Sequence, residues 1–255
     1  MRLIKAGFIA DAGLFAPLSI DLDRFPHWLI AGRSGSGKSV LLLYALNSLL
    51  NFFPLLLFLA DPKGSGDFRG ITPNYAEFDA CADLIEEAYS CYTRAKNERN
   101  GARILLLVDE FPAFMLRLEG QDRKRAAEIK TMVSEMLMQG RSLPGNGSAA
   151  VWLAAQRADA DYFPKGARLN FFVVIGMGRL DAQSKQMLFP GEELPEYHPM
   201  TGTGLILVDG KPLRVLKVPQ VDPKRLGRHL RIKAGAGSRI GASGADPGAG
   251  NGVST

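Results

Sequence analysis

Ten residues constrain this chain more than any others: Ala31 to Val40 read AGRSGSGKSV, and Gly32 to Ser39 within them fit G-x-x-x-x-G-K-[ST]. Glycines at this spacing let successive backbone N–H groups curl round phosphate oxygens, Lys38 sets its ammonium on the β and γ phosphates, and the Ser39 hydroxyl is one ligand of Mg²⁺. The flanks agree with that P-loop reading. Trp28 to Ala31 is a short apolar run that reads as a strand, and Val40 to Leu50 has the length and composition of a helix whose first turn faces the phosphates. The expected ligands are ATP and Mg²⁺, held by Gly32, Arg33, Ser34, Gly35, Ser36, Gly37, Lys38, Ser39 and Val40.

With 255 residues and 46% hydrophobic content the chain can bury one full core but not two large ones. A net charge of +5 and a pI near 9.2 permit a nucleic-acid partner without requiring one. The three His and two Cys make no metal site; Cys81 and Cys91 fall in one predicted helix without a CxxC, as reduced cytosolic thiols do. Val40 to Ala60 is apolar enough to suggest a membrane span. Asn47, Ser48, Asn51 and Pro54 interrupt it, and a P-loop helix followed by a buried parallel strand gives the same hydropathy. No intrinsic span is expected, and the first residues, MRLIKAGFIADAG, lack the apolar core of a signal peptide. The expectation is a cytoplasmic protein whose membrane association, if any, comes through partners.

In chain order, Leu3 to Ala10 and Leu18 to Leu22 suggest a small β lead-in over residues 1–27, and His27 reads as a packing or hydrogen-bonding residue. Leu55 to Ala60 is a strand covered on both faces, ending in Asp61-Pro62-Lys63-Gly64, where ligand-facing residues of an open α/β sheet sit; a solvated turn is the alternative. Tyr75 to Asn100 is predicted as one helix, with Phe78, Ile85 and Tyr92 on its core stripe. Arg103 to Glu110, RILLLVDE, is a buried strand with Asp109 placed to hold Mg²⁺ opposite Ser39 and Glu110 placed to polarise an attacking water, as in hydrolysing P-loop motors. Gly120 to Gln139 reads as a helix with a solvated charged face at Asp122 to Arg125. Then come a strand from Ala149 to Ala155 ending in Gln156, whose amide can touch the γ-phosphate, a fifth parallel-type strand from Phe171 to Gly176, and a short helix from Asp181 to Phe189. Asp209-Gly210 joins two last strands by a two-residue type I′ signal. Residues 28–219 are thus the expected core domain, and residues 220–255, basic and then Gly-rich, a flexible tail.

The stretches FPHWLIAGRSGSGKS, LADPKGSGDF, ILLLVDEFPAF, QGRSLPGNGSAAVWLAAQRAD and DAQSKQMLFPG, in this order, resemble the FtsK/SpoIIIE/HerA group of DNA-translocating ATPases, with conjugative coupling proteins of the TcpA type the nearest in look. The resemblance implies an α/β, RecA-like (ASCE) P-loop NTPase fold: a mostly parallel central sheet flanked by helices, with a C-terminal β-hairpin. It implies a homo-hexameric ring around double-stranded DNA, working for a mobile or conjugative element, with a relaxase or membrane-channel protein as a further partner. Lys38 and Ser39 match the Walker A residues, Asp109 and Glu110 the Walker B pair, and Gln156 the sensor. Arg141 matches the arginine finger given to the next subunit, with Arg157 the second candidate. Lys165 and Arg168 in the loop FPKGAR, or the basic residues from Lys224 to Arg239, are the expected contacts to DNA phosphates. A viral genome-packaging ATPase and an ATP-switched assembly module stay open as alternatives.

Overall fold

Aliphatic runs without polar alternation form strands only where both faces are covered, and one large sheet meets that demand here. The structure is a computed structural model that describes residues 3–11, 14–49, 55–157 and 167–231. Its strands are β1 (Leu3–Asp11), β2 (Leu14–Asp21), β3 (Trp28–Gly32), β4 (Leu56–Asp61), β5 (Tyr75–Glu77), β6 (Arg103–Val108), β7 (Ser148–Ala155), β8 (Val173–Met177), β9 (Thr203–Val208) and β10 (Arg214–Lys217). Its helices are α1 (Lys38–Leu49), α2 (Cys81–Glu98), α3 (Phe111–Gln121), α4 (Arg123–Gln139) and α5 (Ala182–Leu188), with a further helix over residues 223–231.

The strands lie in the order β2-β1-β10-β9-β8-β3-β7-β6-β4-β5. Every pairing from β8 to β5 is parallel, and every pairing from β8 out to β2 is antiparallel. The chain leaves β3, crosses over β7 and β6, and enters β4, so the strand order reverses beside β3, and the carboxyl ends there open a crevice. One face of the sheet packs α1: Trp28, Ile30, Leu57, Leu105 and Trp152 meet Leu41, Leu42 and Leu46. The other packs α2, α3 and α4, through Phe58, Leu106 and Val151 against Ile85, Tyr92, Met115 and Ile129. Trp28 and Trp152, opposite each other on β3 and β7, stack at 4.3 Å and donate their indole N–H groups to Phe25 O and Pro26 O.

Four expectations change, and one helix is added. Tyr75 to Glu77 pair with β4 as an edge strand, so the helix begins at Cys81, and Phe78 lies outside its stripe, 52% exposed. The stretch after Glu110 folds as α3, with Pro112 in its first turn, where a missing N–H costs nothing. Asp122 then separates two helices: its N–H donates to Leu118 O, its carboxylate caps Arg125 N at 2.9 Å, and Arg125 pairs with Glu86 and Asp83, so this face is not merely solvated. The last hairpin forms without a type I′ turn. Gly210 takes φ 72°, Asp209 stays at negative φ, and the ladder starts only at Arg214 because Pro212 has no N–H to donate. Finally, residues 223–231 are helical rather than a flexible tail: Leu230 is fully buried against the α1 face and Arg231 donates to Arg69 O. Residues 232–255 lie outside the described residues.

His27 is a structural acceptor, as expected. Its Nδ1 takes a hydrogen bond from Val151 N at 3.1 Å, and burial, helped by the Arg141 charge, pushes its pKa down to about 3. An unfolded chain protonates His27 near 6.5 whereas the fold resists it, so stability is present above that pH and lost below it, by about 1.4 kcal/mol per pH unit from this group. His27→Asn should lower stability at pH 8 but flatten the acid limb between pH 6 and 4 in denaturant titrations. An acid limb as steep as that of the parent would rule out His27 as its source.

Candidate active site

The P-loop lies at the crevice. Gly35 and Gly37 take φ of 78° and 100°, and a Cβ on Gly32 would come within 2.7 Å of Met177 O. The loop is braced from the other half of the sheet by the turn before β9. Gly202 N donates to Ser36 O at 2.9 Å and Thr201 Oγ1 to Gly35 O at 3.1 Å. These two residues escaped the sequence reading, since a T-G pair far downstream carries no sign of its partner.

Lys38 begins α1 with its ammonium buried and all three of its donors used. Nζ bonds Gly32 O at 2.8 Å, Ala155 O at 3.1 Å and Glu110 Oε1 at 2.8 Å. Glu110 stands in the left-handed region, φ 52° and ψ 42°, and its other oxygen accepts from Gln156 N at 3.0 Å. A non-glycine residue held there is strained by about 1 kcal/mol or more, and its surroundings must impose it. Asp109, beside it, is buried, and its pKa is raised to about 6, first by burial and then by the Glu110 charge, with Lys38 opposing.

Two cavities meet at this edge. One, of about 380 Å³, is lined by Arg33, Ser34, Gly35, Gly37, Lys38, Ser39 and Val40, with Lys63, Asp109, Glu110 and Gln156 facing them. It unites the sequence-predicted phosphate and metal residues except Gly32 and Ser36, which support the loop from behind. Among the described residues no group of three or more His, Cys, Asp or Glu is arranged to hold a metal alone. The oxygen donors Ser39 and Asp109 still suit Mg²⁺, which keeps several waters and takes one or two protein oxygens plus phosphate. The adjoining cavity, about 800 Å³, continues past Lys63 and Gln156 to Arg157, Arg117 and the apolar residues Pro62, Ala113 and Leu116. Behind the P-loop a slot of about 400 Å³ lies between Gly37 and Val40 on one side and Val218 to Asp222 on the other.

Arg141 is elsewhere. It precedes β7, whose far end carries Ala155 at Lys38, so roughly 25 Å of strand separates them. Its guanidinium is exposed over Phe172, 5.0 Å from the ring centroid, and cannot reach the P-loop of its own chain. Arg157 lines its own site. Lys165 lies outside the described residues; Arg168 sits in a 3₁₀ turn over Ala167–Asn170, and its side chain is likewise outside them. No described helix is long and apolar enough to cross a membrane.

No protein-family model matches the chain. It is similar to the FtsK domain-containing protein YdcQ of Bacillus subtilis, 25% identical over 195 residues, which are 69% of this chain and 39% of YdcQ. Among solved structures it resembles EssC (ATPases 2 and 3) of Geobacillus thermodenitrificans, with TM-score 0.73 and 14% identity over 97% of this chain and 50% of that one. It also resembles the pCW3 conjugation coupling protein TcpA, in its monomer form with ATPγS, with TM-score 0.65 and 20% identity over 87% and 69% of the two chains. The chain thus spans about two fifths of its curated relative. Its resemblance to an FtsK domain is borne out by YdcQ, and its α/β fold, a large central sheet flanked by helices, by the solved structures.

The raised pKa of Asp109 has a testable sign. Below pH 4 the carboxyl is neutral in both states; as pH rises through 6 the fold must carry a buried charge, so this contribution to stability is lost. Without nucleotide or Mg²⁺, Asp109→Asn should therefore stabilise the protein more at pH 8 than at pH 5, by about 1–1.5 kcal/mol in denaturant titrations. Equal effects at the two pH values would remove the assignment.

Proposed function

We propose that this chain is an ATP-hydrolysing motor domain that works as a homo-hexameric ring and moves double-stranded DNA, in the transfer of a mobile or conjugative element. The observation that carries the reading is Glu110 beside Lys38, in one cavity with Ser39, Asp109 and Gln156. ATP would lay its phosphates along Gly35 to Ser39 with its base toward the slot at Val40 and Val218, and Mg²⁺ would supply charge neutralisation at the phosphates, held by Ser39 and Asp109. Lys38, to bind phosphate, exchanges at least one of its three present acceptors. Releasing Glu110 frees a carboxylate within reach of the γ-phosphate to take a proton from water. Arg141, at the opposite end of the sheet, completes the site of the neighbouring subunit, where a guanidinium stabilises charge developing on the transferred phosphoryl group.

A second reading keeps the chemistry and changes the cargo. The larger cavity, with Arg117, Arg157 and Lys63 round Pro62, Ala113 and Leu116, has the composition to take an acidic apolar peptide segment, and EssC-like ATPases share the fold.

Three measurements test these statements. Duplex DNA of any sequence should bind in a steeply salt-dependent way and raise ATP turnover several-fold; turnover indifferent to DNA would favour the polypeptide reading. Glu110→Gln should bind ATP yet lose turnover by about 10²–10⁴, and wild-type turnover in that variant would displace Glu110 as the base. Arg141→Ala and Lys38→Ala subunits, each nearly inactive, should recover activity when mixed, because some interfaces then pair an intact P-loop with an intact finger. Full activity of a verified monomer would sink the ring.

A further inference from the structure

Asp61, which opens the DPKGSG loop after β4, has no part in the chemistry described so far, yet it is fully buried. Along β4 the side chains alternate, Leu57 and Leu59 toward α1 and Phe58 and Ala60 toward α2 to α4, so Asp61 falls on the α1 side. The same alternation along β6, from Leu105 and Leu107 on the α1 side, puts Asp109 on that side too. Ala60 is opposite Val108 in the parallel register, and Asp109 N donates to Ala60 O at 3.0 Å. The two carboxylates are therefore neighbours on one face of the sheet, on strands about 4.8 Å apart.

Asp61 uses only one of its oxygens. Oδ2 accepts from Ser65 Oγ at 2.9 Å, Gly66 N at 2.8 Å and the Tyr75 hydroxyl at 3.2 Å. Ser65 and Gly66 belong to the loop, and Tyr75 stands on β5, across β4 from β6. The other oxygen, Oδ1, takes none of these donors. That oxygen is buried and accepts no hydrogen bond among the described residues. A buried acceptor left unmet is costly, more so when charged. Lys38, the buried ammonium at this edge, already pairs with Glu110.

We propose that Asp61 is a second positioning carboxylate for the Mg²⁺ that accompanies ATP, accepting hydrogen bonds through Oδ1 from water of the cation's shell beyond Asp109. The inference rests on the ATP·Mg²⁺ reading of the site. Mg²⁺ dehydrates reluctantly, and its polarised waters are strong donors in want of acceptors. Through Oδ2 the same side chain fixes the loop carrying Lys63, which lines the phosphate cavity. One residue thereby couples the seat of the cation to the placement of a further cation near the phosphates.

The test compares binding of a fluorescent ATP analogue in EDTA and in graded Mg²⁺, for the wild type, Asp61→Asn and Tyr75→Phe, with melting temperature as the folding control. An amide keeps an acceptor for Ser65 and Gly66 and removes the charge. In Asp61→Asn the Mg²⁺ concentration for half-maximal binding should rise about tenfold or more, with affinity in EDTA unchanged. Tyr75→Phe, which loses its bonds to Asp61 and Glu77, should melt earlier and keep the wild-type Mg²⁺ requirement. An unchanged requirement in Asp61→Asn, or an equal rise in Tyr75→Phe, would overturn the proposal and leave Asp61 as a loop brace. If Asp61→Asn does not fold, Asp61→Ser carries the comparison, and if neither folds, bracing is the role and the proposal falls. A wild type that binds no nucleotide even with Mg²⁺ would instead refute the ATP reading.

Discussion

The arrangement hangs on one ammonium group. Lys38 Nζ gives its three hydrogens to Gly32 O at the end of β3, Ala155 O at the end of β7 and Glu110 just past the end of β6. A buried charge is tolerable only when paired and fully hydrogen-bonded, and here the partners come from three strands that are adjacent in the sheet but more than forty residues apart in the chain. The contact that prepares the site for a phosphate therefore also holds the carboxyl edge together. Any substitution at Lys38 or Glu110 acts on stability as well as on chemistry, and the left-handed backbone of Glu110 is part of the same bargain between strain and position.

Around that edge the two faces of the sheet are built differently. Helix α1 is apolar on nearly all sides, because the sheet lies beneath it, β1 packs along it, and Leu226 and Leu230 of the helix at residues 223–231 join the same hydrophobic cluster. This is why its sequence mimics a membrane span. Helices α2 to α4 cover the opposite face and carry their charges outward, where Arg125 and Glu135 tie neighbouring helices together. The two ends of the described chain also serve the site. β1 pairs with β10, and the strap from Val218 through residue 231 runs from the slot behind the P-loop to Arg69, in the loop that Asp61 anchors.

Most of the parallel core was legible because burial on both faces leaves an unmistakable aliphatic run. β3, β4, β6, β7 and β8 lie within a residue or two of where their sequences place them. The errors fall where local signals compete. Tyr75 to Glu77 carry the tail of a helical periodicity, yet pairing with Leu59 to Asp61 draws them into the sheet. α3 is announced only by Pro112, and Asp122 is both the stop of one helix and the cap of the next. Residues 223–231 look like a basic tail, and only the burial of Leu230 by distant residues makes them structural.

By itself the sequence determined the chemistry at single positions: the P-loop spacing, the Asp109-Glu110 pair at the end of a strand, and the amide of Gln156 after another. These are local patterns, because a phosphate-binding loop and a strand end need only a few consecutive residues to specify their geometry. Tertiary structure decided what those residues do to one another. It set Glu110 against Lys38, braced the P-loop with Thr201 and Gly202, stationed Arg141 at the end of the sheet away from its own phosphates, and left one oxygen of Asp61 unmet beside Asp109. The reason is strand order. Which strand ends become neighbours depends on crossovers that bury both faces at once, a condition on the whole chain that no short stretch can express.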